Sequence, residues 1–153
     1  MTPFILLRLA SIVSLLFAAG HTLGGLQSWS PPGETQVLEA MRAFRFDADG
    51  VSRTYWDFYI GFGLIISVFL FAQSALLWPI AAIAKANVLG VRPIVAVLFV
   101  SAVANAALTW RFFFAVPIVL AVAIALLIGL ALVLQSRSLS RTDGFGLVTE
   151  SSR

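Results

Sequence analysis

The 153-residue chain contains no cysteine, which excludes disulfides, thiol nucleophiles and thiolate metal ligands. It contains one histidine, His21, so a zinc site built from the usual nitrogen and sulfur donors has too few ligands. Charge is also scarce. Charged residues make up 11% of the chain, against about 25% in an ordinary soluble domain. No Gly-x-Ser-x-Gly elbow and no His-Glu-x-x-His helix occurs, so two common hydrolase signatures are missing. The net charge is +3 and the isoelectric point about 10.2. The basic residues, however, stand singly at the ends of apolar runs, without the clustering or aromatic interleaving that nucleic-acid binding needs. Asp47-Ala48-Asp49-Gly50 lacks the later oxygen ligands and closing Glu of a calcium loop and reads as a turn.

What the chain does have is apolar length. Hydrophobic residues make up 60% of it and the mean hydropathy is +0.99. Four runs qualify as spans, at about Phe4–Leu26, Tyr55–Ile83, Pro93–Trp110 and Phe112–Leu134. Each covers a hydrocarbon core of about 30 Å at 1.5 Å per residue. A helix satisfies its backbone polar groups internally, so these runs are expected to be helical. The expected fold is an all-α integral membrane protein. It is a four-helix transmembrane bundle over residues 1–135, with an outward loop over 27–54 and a flexible cytoplasmic tail over 136–153. The tail is rich in Ser and Arg and has no apolar period. No internal repeat is present. A first span this long, with a weakly basic start, reads as a retained helix rather than a cleaved signal peptide.

The loop opens on Trp29, Pro31, Pro32 and Gly33, which read as a turn. Glu34 to Phe46 is expected to form an amphipathic helix, with Val37, Met41 and Phe44 on the face that lies against the bundle or the bilayer. No sheet is expected. Arg8, Lys85, Arg92, Arg137, Arg141 and Arg153 fall on the side of the termini, against Arg42, Arg45, Arg53 and Arg111 on the other. The excess places both termini in the cytoplasm.

Polar side chains inside spans are costly, so their positions carry information. Ser11, Ser14, Ala18, His21 and Gly25 form one stripe on the first span. On the second, Asp57, Gly61, Leu64, Ser67, Phe71 and Ser74 are expected to share a face. Ser101, Asn105 and Thr109 are spaced four apart on the third, followed by Arg111. Together they suggest one polar pocket near the outer face. In it His21 and Asp57 would carry acid–base chemistry, and Tyr55, Tyr59, Asn105, Thr109 and Arg111 would bind a ligand. No cofactor and no metal is implied. The same residues have a plainer reading. Tyr55, Trp56, Tyr59, Trp78 and Trp110 suit an interfacial aromatic belt, Arg8 suits snorkelling, and Gly20-xxx-Gly24 and Ala121-xxx-Ala125-xxx-Gly129 suit helix packing.

Two stretches carry a resemblance: Gly20-His21-Thr22-Leu23-Gly24-Gly25, and Arg53 to Gly63, which reads RTYWDFYIGFG. Together they resemble a group of small bacterial four-span integral membrane proteins that is uncharacterised in function. The resemblance covers the first two spans and the loop between them. It implies a bacterial inner (plasma) membrane and the four-span fold, and no activity.

Two functions of different class fit the residues. One is a pocket open to the outer leaflet that binds an apolar small molecule or lipid, with cofactor-free acid–base chemistry. The other is a non-catalytic accessory or assembly subunit, working with membrane lipids, a second copy or a partner membrane protein. Both share one orientation. Impermeant labelling of single introduced cysteines is expected to mark the 27–54 loop from outside, and the 85–92 loop and the C-terminal tail only from the cytoplasm. Labelling of the 27–54 loop from the cytoplasm would reverse the orientation.

Overall fold

The computed structural model describes residues 2–26 and 35–150; for residues 26, 35 and 137–150 it describes the backbone alone. The elements in order are α1 (Pro3–Leu26), α2 (Thr35–Ala43), β1 (Arg45–Ala48), β2 (Val51–Thr54), α3 (Tyr55–Ala86), α4 (Val88–Phe112) and α5 (Ala115–Glu150). Four helices are long and apolar enough to cross a membrane: Pro3–Gly25, Tyr55–Ala86, Val88–Phe112 and Ala115–Ser136. They match the four apolar runs of the sequence. The turn expected around Trp29 to Gly33, and Glu34, lie outside the described residues.

Three boundaries differ from the sequence reading. The third span starts at Val88, before Pro93, because Asn87 caps it: its side-chain oxygen accepts from the Gly90 N–H at 2.8 Å. Capping satisfies an otherwise orphaned donor, so helix formation begins there. Pro93 then sits inside the helix, past the first turn, where its missing N–H costs one i→i−4 backbone bond. The backbone is also helical past Gln135 to Glu150, where the apolar run has ended and an irregular tail was expected.

The third difference is the loop. The helix expected over Glu34 to Phe46 stops at Ala43, and the chain turns into an antiparallel hairpin, so the expectation of no sheet is corrected. The pairs are Arg45 with Thr54, Phe46 with Arg53, Asp47 with Ser52 and Ala48 with Val51. The cause is the two-residue connection. Asp49 has φ +56° and Gly50 φ +82°, the left-handed pair that a tight hairpin turn needs and that Asp and Gly tolerate best. Asp47 accepts from the Gly50 N–H at 2.8 Å and holds the turn. The turn itself was legible in the sequence; the strands it joins were not recognised.

The chain folds as two compact units, Met1–Phe17 with Gln73–Arg153 (unit 1) and Ala18–Ala72 (unit 2). In unit 1 the buried positions are mostly small or aliphatic: Leu7, Ala10, Ser11 and Ser14 on α1, Ser74, Leu77 and Ala81 on α3, Val91, Val95 and Ala102 on α4, and Ala121, Ala125, Ile128 and Ala131 on α5. Large apolar side chains such as Val97, Trp110 and Leu126 point outward. This distribution suits lipid, where helix association rests on close backbone approach rather than on hiding apolar area from water. Helix α4 packs on α5, with Gly129 so close to the Phe99 ring that a Cβ would lie 2.7 Å from it. Gln135 is fully buried, and neither polar atom of its carboxamide has a hydrogen-bond partner among the described residues.

Unit 2 holds the C-terminal part of α1, the α2–hairpin segment and the N-terminal part of α3. Ala18, Thr54, Ser67 and Leu70 are buried there. The apolar face of α2 is not covered by the protein. Val37 is 60% and Phe44 58% exposed, with Met41 half-buried. Of the two surfaces expected to take this face, the bundle and the bilayer, the bundle does not take it among the described residues. Phe44 does stack on Tyr55, at 5.8 Å between ring centroids.

Candidate functional site

The polar side chains of α1 and α3 are joined to one another. In unit 1, Ser11 Oγ donates to the Ser74 carbonyl at 2.8 Å, and Ser74 Oγ donates to the Ser11 carbonyl at 2.9 Å. The Gln73 amide donates to Ser14 Oγ at 3.1 Å. In unit 2, Thr22 Oγ1 lies within donating distance of Ser67 Oγ, at 2.9 Å, and of its own helix at the Ala18 carbonyl, at 2.8 Å. Ser67 Oγ donates to the Gly63 carbonyl at 3.2 Å. His21 Nε2 lies 3.1 Å from the same carbonyl. In unit 1 the contacts pair rising numbers on α1 with falling numbers on α3, so there the two helices run antiparallel.

The His21 contact fixes its tautomer. A carbonyl oxygen accepts only, so Nε2 carries the proton and, in the neutral ring, Nδ1 keeps its lone pair. The ring is half-buried. Its partner is a backbone atom that also serves Ser67, which makes this a joint between helices.

Asp57 has a different partner. Its Oδ2 accepts from the Thr54 N–H at 2.8 Å, and Thr54 Oγ1 accepts from the Asp57 N–H at 3.1 Å. This is a reciprocal capping box at the head of α3. It closes the hairpin onto the helix, since Thr54 is also the last residue of β2 and is buried. No hydrogen bond joins Asp57 to His21 among the described residues. Gly63, the partner of His21, lies six residues further along α3, roughly 9 Å at 1.5 Å per residue.

Around this cap is a layer of rings. Phe46 meets Tyr55 at 4.9 Å and stacks on Phe58 at 5.8 Å, and Phe58 meets Phe62 at 6.1 Å. Trp56 stacks on Tyr59 at 5.5 Å and receives the Arg42 guanidinium 4.2 Å from its ring centre. Tyr55 and Tyr59, expected to bind a ligand, thus have aromatic neighbours and remain exposed. Asn105, Thr109 and Arg111 belong to unit 1. Thr109 is buried and donates to the Asn105 carbonyl at 2.7 Å. Arg111 is exposed, with its guanidinium 5.3 Å from the Phe112 ring centre.

The structure therefore places His21 and Asp57 in one unit, each with its own partner. The face of α3 also differs from the expected one. Leu64 and Phe71 are 48% and 41% exposed, while Ser67, Leu70, Ser74, Leu77 and Ala81 are buried. The buried positions step by three and four in alternation, the period of a coiled-coil seam. Reading the stripe through Phe71 rather than Leu70 turned it off that seam. Thr54 was missed, although Thr-x-x-Asp ahead of an apolar run is a recognisable capping signal. Thr22, Gly63 and Gln73 were missed too, and only the opposing helix reveals them.

The capping box makes a direct prediction. Thr54→Val and Asp57→Ala are each expected to lower stability in detergent by about 1 kcal/mol and to speed hydrogen exchange in the first turn of α3. The double variant should cost less than the sum, because the two bonds are reciprocal. Unchanged exchange in that turn would remove the capping assignment. Comparison with protein-family models, with curated proteins and with solved structures finds no match for this chain.

Proposed function

We propose that this is an integral protein of a bacterial inner membrane, with both termini in the cytoplasm, that acts without catalysis as an accessory or assembly subunit. The observation that carries the reading is the engagement of the polar groups between α1 and α3. Ser11, Ser14, His21, Thr22, Ser67, Gln73 and Ser74 all have partners across or along these two helices. Such bonds average about 0.6 kcal/mol each in membrane proteins, enough to set helix register. Asp57 is likewise held in a helix cap. These groups act as joints rather than as reagents.

A partner has a place to sit. Gly20 and Gly24 lie one turn apart on α1, and a Cβ built on either meets nothing within 4 Å. In lipid, an open Gly-xxx-Gly face lets a second transmembrane helix approach closely. That helix belongs to a second copy or to a partner membrane protein.

One observation favours the outer-leaflet pocket instead. The Nε2 bond leaves His21 Nδ1 available as a base. The two readings separate on purification in mild detergent. The accessory reading expects a complex, either a dimer or a defined heteromer, that Gly20→Ile with Gly24→Ile dissociates, and no stoichiometric small molecule. A monomer carrying an apolar small molecule, lost in His21→Ala, overturns it in favour of the pocket.

A further inference from the structure

Arg8 is set into unit 1 in an unusual way. Its guanidinium lies 3.6 Å from the centre of the Trp78 ring and 5.3 Å from that of Phe4. Lys85 Nζ lies 5.9 Å from the same Phe4 ring. The two cations therefore flank one phenyl ring and lie at most about 11 Å apart, the sum of those two distances. Stacking on an aromatic face occupies the plane of a guanidinium and leaves its edge of N–H donors pointing sideways. Nε of Arg8 is buried and has no hydrogen-bond partner among the described residues.

No described carboxylate is present to balance these charges. The acidic residues of unit 1, Asp143 and Glu150, lie among those described by backbone alone, and the other five all fall between residues 34 and 57. Arg92, in the second turn of α4, donates to Ser136 Oγ at 3.0 Å and adds a third positive charge within unit 1. Beside Arg8 on α1, Ile5 and Leu9 are exposed, as is Trp78 on α3. A planar donor edge, a second cation and a flanking apolar surface describe the receptor for one kind of molecule: a phosphate diester with acyl chains.

We propose that Arg8 and Lys85, on the platform of Phe4 and Trp78, form a binding site for the head group of an anionic phospholipid. The Arg8 edge takes two phosphate oxygens in parallel, the geometry that a guanidinium offers and an ammonium does not. Lys85 contributes charge. The acyl chains lie along Ile5 and Leu9. Basic sites at the cytoplasmic ends of membrane helices hold anionic lipids by this combination. The site rests on the reading of α1 and α3 as membrane spans and is independent of the accessory role.

The test uses the full chain in mild detergent, with native mass spectrometry of added phosphatidylglycerol against phosphatidylcholine of the same chain length. The wild type is expected to retain phosphatidylglycerol preferentially. Arg8→Gln and Lys85→Gln should each reduce that preference about fivefold, the effect of one basic charge at the membrane surface. Arg8→Lys should reduce it less, and Arg53→Gln, on the hairpin strand β2 and outside the site, not at all. Lys85 is exposed, so its variant reads the site without disturbing packing if Arg8→Gln is not recovered. Equal retention of the two lipids by the wild type, or an unchanged preference in Lys85→Gln, overturns the proposal. Displacement of the lipid by millimolar inorganic phosphate also overturns it and assigns the site to the free anion. Extraction of the protein from cells without detergent would instead defeat the membrane reading itself.

Discussion

A buried hydroxyl needs a hydrogen-bond partner, and meeting that need ties α1 to α3. Ser11 and Ser74 each donate to the other's backbone carbonyl, an arrangement that needs both helices in one register and one orientation. Neither serine is large enough to hold the helices apart. Ala10 and Ser14 on α1 and Ala81 on α3, also buried, are equally small. The small side chains let the backbones come close, and the close approach in turn brings each hydroxyl to the opposing carbonyl. Size and polarity therefore act together, and replacing either would loosen the contact.

The same economy explains the head of α3. The start of any helix leaves N–H groups without intrahelical partners. Here the start is closed by Thr54 and Asp57, and Thr54 is simultaneously the end of a hairpin whose turn is built from Asp49 and Gly50. The hairpin carries Phe46 onto Tyr55 and Phe58. Aromatic rings with polar tips are at home where lipid meets water, so a layer of them beside the cap suits an interfacial position for this segment. The carboxylate of Asp57 is thus explained by local backbone chemistry.

The four helices were legible in the sequence because their signal is composition over about twenty residues, which no local detail can mask. The stripe on α1 was legible over most of its length: Ser11, Ser14 and Ala18 are buried and His21 half-buried, while Gly25 at its end is exposed. The face of α3 was not, because a one-residue slip between Leu70 and Phe71 separates two plausible stripes, and only the opposing serines decide between them. The α2 segment failed for a related reason. Its apolar spacing suited a helix as far as Phe46, but the Asp49-Gly50 turn favours paired strands, and the strand pairing claims Arg45 and Phe46. His21 and Asp57 read as partners from their depth alone. Depth says nothing of which way a side chain turns, and the helix cap and the Gly63 carbonyl are nearer claims on them.

The absence of cysteine makes the central contact directly measurable. Ser11→Cys with Ser74→Cys, oxidised gently in native membranes, is expected to form an intrachain disulfide, since the two Oγ atoms lie 3.5 Å apart. Protection of both thiols from a maleimide label, reversed by reductant, reports the bond. Ile12→Cys with Ser74→Cys is the control, because Ile12 is exposed on the neighbouring position. Rapid cross-linking of the first pair and not of the second is the predicted result. Free thiols in the first pair, or equal cross-linking in both, would contradict the α1–α3 seam on which the account depends.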